Sequence, residues 1–111
     1  MASRRFDVQW AEVAARDLEE LVAYIASDSP TNAVRVLDRI ERRASVLERT
    51  PTRGRIIPEL ARIGARTWRE LIIRPYRLIY RVEADTVTVL ALFDGRRDLE
   101  DVLFERLVRS P

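Results

Sequence analysis

Every basic side chain in the 111-residue sequence is an arginine. There are twenty of them, with no lysine, histidine or cysteine. The available chemistry is that of planar, permanently charged forks that grip carboxylate and phosphate through paired N–H groups. Imidazole bases, thiol nucleophiles, Schiff-base amines, a phosphate-loop lysine, Cys/His zinc sites, Ser-His-Asp triads and disulfides are all excluded. The arginines are unevenly spread. Residues 1–50 carry eight against nine acids, and residues 82–111 carry four against seven. Residues 53–81 carry eight against Glu59 and Glu70 alone, so the middle third holds the positive excess of a chain whose net charge is only +2.

Within that segment Arg77 and Arg81 lie four apart in an alternating run. On a strand this spacing puts both on one face, about 13 Å apart. Arg69 precedes them, and Arg96 and Arg97 follow the next apolar run. Such a set could stabilise a phosphate transition state, grip an acidic partner, or be solvated and salt-bridged on a sheet. Glu59 and Glu70 form a conceivable carboxylate pair. Nothing in the sequence brings them together, and ion pairing with neighbouring arginines is their expected role. There is no Gly-rich phosphate loop and no metal-ligand spacing, so no cofactor and no metal are expected. Trp68, Tyr76 and Tyr80 interleave with arginine, as in base-stacking surfaces, but a net charge of +2 is small for a protein that lives on phosphate contacts.

The elements that must position these residues follow from periodicity. Phe6, Val8 and Trp10 alternate with polar residues, which predicts a short strand. Leu18, Leu21, Val22 and Ile25 make one stripe of a helix over 11–27. Ser29 and Pro30 supply a cap and a first helical position. Ala33, Leu37, Ile40, Ala44 and Leu47 then give a narrow seam through 30–49. Two helices so closely joined form an antiparallel hairpin. Residues 52–67, broken by Gly54, Pro58 and Gly64, read as irregular.

Three strand-like runs come next: 68–74, 76–82 and 86–93. Tyr76, Leu78, Tyr80 and Val82 face one way, and Arg77, Ile79 and Arg81 the other. The β-branched third run reads as central. Pro75 marks the bend between the first two runs, and Glu83-Ala84-Asp85 the hairpin between the last two. Leu99, Val102, Leu103 and Leu107 stripe a final helix over 98–109. The acids Asp98, Glu100 and Asp101 sit at its positive end. The order argues a single α+β domain over 1–111, with an N-terminal strand and a helical hairpin packed on an antiparallel sheet and a C-terminal helix. Phe6–Trp10 or 68–74 should form an edge strand able to accept a partner's strand. The apolar faces of the hairpin could likewise accept an amphipathic helix.

Leu, Ile, Val and Phe total 34 of 111 residues, enough for one core and too many for a disordered chain. No apolar run approaches the roughly 18 residues of a membrane span. No apolar segment of secretory type follows Arg4 and Arg5, so the expected location is the cytoplasm.

Taken together these motifs resemble the RelE/ParE toxins of type II toxin–antitoxin systems. The resemblance rests on Gly54-Arg55, Pro58-Glu59-Leu60, Arg69-Glu70-Leu71, the run from Tyr76 to Val82 and Gly95-Arg96-Arg97-Asp98. Val8-Gln9-Trp10, Asp17-Leu18 and Tyr24-Ile25 also fit, so it spans roughly residues 6–107. It implies the same fold as the periodicity. RelE-like members cut messenger RNA on the ribosome, and Arg77 and Arg97 match two of their catalytic arginine positions. Their two lysine positions fall here at Trp68 and Glu70, and their C-terminal tyrosine position at Leu103. The expected acid–base groups, typically worth about 10²–10⁴-fold each, are therefore missing.

The ParE-like branch, described as acting on DNA gyrase without enzymatic activity, fits better. That branch implies a ParD-like antitoxin wrapped over the hairpin and sheet, a toxin–antitoxin hetero-oligomer, and gyrase as target. The candidate partner or target contacts are Arg69, Arg77, Arg81, Arg96 and Arg97. A ribonuclease using Arg77 and Arg97, or a degenerate toxin that only binds its antitoxin, are the alternatives.

Overall fold

The computed structural model describes residues 4–109, with side chains through Arg106. Leu107, the fourth member of the last stripe, lies outside the described side chains. Chain order is β1 (Asp7–Trp10), α1 (Glu12–Ala26), α2 (Pro30–Ser45) with a 3-10 turn over Val46–Glu48, β2 (Arg55–Ile56), α3 (Pro58–Ala61), β3 (Trp68–Ile73), β4 (Tyr76–Glu83), β5 (Thr86–Asp94) and α4 (Leu99–Arg109). The Ser29 hydroxyl accepts the Asn32 N–H at 3.1 Å and Pro30 is the first helical residue, so α2 starts as its sequence dictates.

The five strands form one sheet in the order β1-β5-β4-β3-β2. β3, β4 and β5 make the antiparallel meander that the alternating runs predict. β1 joins β5 in parallel, Asp7 opposite Thr86 and Trp10 opposite Val89, so the sheet is mixed rather than wholly antiparallel. Alternation of period two says which side chains share a face but not which way the neighbouring strand runs. β2 and α3 lie within the stretch expected to be irregular. Being two and four residues long, they are too short to show a period.

Both faces of the sheet are covered. The helical hairpin packs on one face, where Ala14, Val36, Ile40, Ala44 and Leu47 meet Leu71, Ile73, Leu78, Tyr80, Val87, Val89 and Leu92. On the other face Ile57, Ile79, Ala91, Phe93, Leu99 and Val102 form a second cluster, flanked by Leu60 and Trp68. A bulge decides which residues of β5 go where. Tyr80 pairs with Val89 but Ile79 pairs with Ala91, leaving Leu90 as the extra residue. The slip returns Leu92 to the hairpin face opposite Leu78 and sends Ala91 and Phe93 to the other.

Candidate functional site

Four charged residues converge where β2, α3, β3 and β4 meet. Glu70 stands on β3 with its side chain fully buried. Its Oε2 accepts the Arg55 Nε–H at 2.7 Å and its Oε1 accepts the Arg77 Nε–H at 2.5 Å. The register places them: Arg55 lies opposite Glu70 across β2 and β3, and Arg77, on β4, is opposite Ile72, two residues beyond Glu70 on β3. Arg77 also donates through Nη1 and Nη2 to both carboxylate oxygens of Glu59 on α3, at 3.1 and 3.2 Å. Its guanidinium carbon lies 5.5 Å from the centre of the Phe93 ring. The Arg77 side chain is only 11% exposed.

The electrostatics follow from this geometry. Burial works to lower the Arg77 pKa, but the hydrogen bonds that Arg77 donates to Glu59 and Glu70, with the attraction of their charges, together outweigh it and leave the group firmly cationic. The Arg77 hydrogen bonds hold the Glu59 carboxyl below its ordinary value against the opposing effect of partial burial. Arg77 is thus a neutralised structural cation. Three of its five N–H donors are spent on two carboxylates, and a phosphate brought to it would meet both acids at the same guanidinium.

A second polar anchor supports the first. The Tyr80 hydroxyl accepts the Gly54 N–H at 2.9 Å and donates to the Pro51 carbonyl at 2.7 Å, and Arg69 Nη1 donates to the Gly54 carbonyl at 2.9 Å. Burial pushes the Tyr80 phenol pKa up, so it stays a donor. A Cβ at position 54 would lie 2.4 Å from the Glu70 carbonyl oxygen and 2.7 Å from the Tyr80 hydroxyl. Only glycine lets the 51–55 segment approach the sheet this closely.

Beside the network a cleft of about 370 Å³ opens at the turn between β3 and β4. Arg55, Arg74, Arg77 and Arg96 line it with Glu59, Tyr76 and Gly95. Four cations face it, and Glu59 is the one acid in its wall. Of the five arginines singled out in the sequence, Arg77 and Arg96 line this cleft. Arg96 is 86% exposed and chelated by Asp94, whose carboxyl is thereby held at about 2. Arg97 instead pairs with Glu105 on α4. Arg69 anchors the Gly54 loop, and Arg81 is half-buried between Trp68 and Thr88 in the strand register. The Nε of Arg81 is buried and has no hydrogen-bond partner among the described residues.

Sequence reasoning missed Arg55 and Arg74 as cleft residues. It also gave no sign that Glu59 and Glu70 hold one arginine between them, because ten residues separate them and Glu59 sits on a short helix of its own. Their pairing with neighbouring arginines is as expected.

Of the positions where RelE-like nucleases are basic, Trp68 packs in the second apolar cluster. Leu103, at their tyrosine position, lines an apolar cleft of about 320 Å³ under α4 with Ile57, Trp68, Phe93 and Val102. Among the described residues no group of three or more acids could hold a metal ion, and no helix is long and apolar enough to cross a membrane.

A family profile described as "ParE toxin of type II toxin-antitoxin system, parDE" matches residues 8–99. The chain is 34% identical over 98 residues to "Putative toxin Y4kP" of Sinorhizobium fredii (strain NBRC 101917 / NGR234), covering 86% of this chain and 95% of that protein. Among solved structures it superposes on a chain of "Chromosomal ParDE TA system from P. aeruginosa" with a TM-score of 0.67 at 20% identity, over 83% of this chain and 98% of the other. At that identity the superposition shows the shared fold.

Proposed function

The chain belongs to the ParE toxin family of type II toxin–antitoxin systems, and from that premise we propose that it arrests growth by binding DNA gyrase, not by cutting RNA, and that a ParD-like antitoxin neutralises it. The observation that carries the choice is the state of Arg77. In the nuclease reading this arginine stabilises charge on a phosphate. Here it is largely buried, held by Glu70 and Glu59, and balanced by them before any substrate arrives. Electrostatic catalysis needs donors aimed at developing charge, and those of Arg77 are aimed at resident carboxylates. The absence of histidine and lysine from the whole sequence removes the acid–base partners as well.

What remains suits recognition. Arg55, Arg74 and Arg96 present cations around an open cleft, backed by a rigid ion-paired wall, which favours an acidic protein surface. The reading is tested with purified toxin and purified gyrase in a plasmid supercoiling assay. Dose-dependent loss of supercoiling or accumulation of cleaved plasmid is expected, with reversal by the antitoxin. Undisturbed supercoiling at a large excess of toxin would remove gyrase as the target.

A further inference from the structure

The outer edge of β3 is only half covered by a strand. β2 pairs with Arg69 and Glu70, and the Ile57 N–H reaches the Trp68 carbonyl at 3.3 Å. Beyond them, the carbonyls of Ile72 and Arg74 are met by side chains rather than by backbone. Arg43 Nη2 donates to the Ile72 carbonyl at 3.1 Å, and Arg39 Nη2 donates to the Arg74 carbonyl at 2.8 Å. The match is geometric. Residues i and i+4 of a helix are about 6 Å apart along its axis, and alternate residues of a strand about 6.8 Å. Two arginines on one face of α2 therefore reach successive outward carbonyls. A strand residue's N–H points to the same side as its carbonyl, so the Ile72 N–H faces outward too.

The charge around this edge has one sign. Arg39, Arg43, Ile72, Ile73 and Arg74 line a hollow of about 270 Å³. It shares Ile72 and Arg74 with the arginine cleft. Among the described residues none of Arg39, Arg43 and Arg74 forms an ion pair, whereas Glu59 in the wall of the neighbouring cleft, and Asp94 just outside it, already hold arginines.

We propose that residues 71–74 are a docking edge for an extended acidic segment of a partner protein, held in reserve by Arg39 and Arg43. The idea rests on the reading above that a protein partner exists, and names where and by what chemistry part of it is held. The incoming backbone N–H groups take over the Ile72 and Arg74 carbonyls, and an incoming carbonyl takes the Ile72 N–H. The displaced guanidinium groups turn to the segment's carboxylates. Each guanidinium exchanges a neutral carbonyl acceptor for a carboxylate, which adds an opposite charge and a second acceptor oxygen to the contact. Until then the arginines satisfy the carbonyls and keep a bare edge from pairing with another copy. The opposite edge, β1, lacks this arrangement: its neighbours Arg5 and Glu48 already pair with each other.

The test titrates the isotopically labelled full chain with a blocked eight-residue peptide alternating Glu and Thr, followed by amide NMR. Saturable shifts are expected at Ile72 and Arg74, and none with the Lys/Thr counterpart. Arg39→Ala with Arg43→Ala should weaken binding by about tenfold, the scale of two solvent-exposed ion pairs. Arg35→Ala, an exposed arginine on the same helix, should not. Equal response to both peptides, unchanged affinity in the double variant, or shifts confined to other strands would overturn the proposal. So would shifts of the same amides by a single-stranded hexanucleotide in place of the peptide, which would assign the arginines to phosphate. None of these outcomes touches gyrase inhibition, so the two readings fail separately.

Discussion

Glu70 sets the chemistry of the site. A carboxylate with no exposed surface needs partners, and Arg77 and Arg55 supply them. Removing one partner of a buried pair typically costs about 3–5 kcal/mol, because the other charge is left uncompensated. Arg77→Ala should therefore lower stability by about 3 kcal/mol, a fall in melting temperature of at least about 10 °C for a domain of this size. Lost toxicity in that variant would report unfolding rather than a missing contact, so a melting curve must accompany it. Arg96→Ala, on an exposed residue, should leave the melting temperature within about 2 °C and isolate any role in binding. Gly54→Ala should destabilise by about 2–4 kcal/mol, since its Cβ collides with backbone rather than with a flexible side-chain end.

The pH dependence has a definite sign. Glu59 and Asp94 both have folded pKa values below their ordinary ones. Their contribution is present above about pH 4–5 and is lost as pH falls through the folded values, down to about 2 for Asp94. Urea midpoints should decline below pH 5, and Glu59→Gln should flatten the upper part of that decline. Of these features, the likelihood of Arg–Glu pairing was legible in a segment with eight arginines and two acids. The convergence of two acids on one arginine was not, because it depends on β2 and α3 folding back over β3.

At the scale of elements, caps and periods were readable. Ser29 and Pro30 begin α2 as expected, and the three strand runs lie within a residue or so of their predicted limits. The direction of β1 and the bulge at Leu90 were not readable. Both are settled by contacts between residues far apart in the chain, to which local alternation is blind. The β4–β5 hairpin turns through Ala84, whose φ of +52° is a conformation that a side chain disfavours. Because a positive first turn position suits glycine, Ala84→Gly should raise the melting temperature by about 2–4 °C, the net of relieved strain and lost chain stiffness. Differential scanning calorimetry would show it, and a decrease would mean that the turn geometry is not under strain.

For the whole molecule, the charge pattern changes meaning once folded. The positive excess of residues 53–81 is not one patch. Part of it is consumed internally, by Glu70, Glu59 and the Gly54 carbonyl. Arg74, shared by the two hollows, remains outward, while the flanking segments contribute Arg39, Arg43 and Arg96 around the same β3–β4 end of the sheet. A molecule with its central arginine neutralised and with Arg39, Arg43 and Arg74 outside any ion pair among the described residues is organised to bind. The most direct test is a pulse-label after induction of this chain alone in antitoxin-free bacteria, following thymidine and methionine incorporation over the first minutes. The account predicts that thymidine incorporation falls first while methionine incorporation continues. Translation stopping first would contradict it and return Arg77 and Arg97 to the role of catalytic candidates.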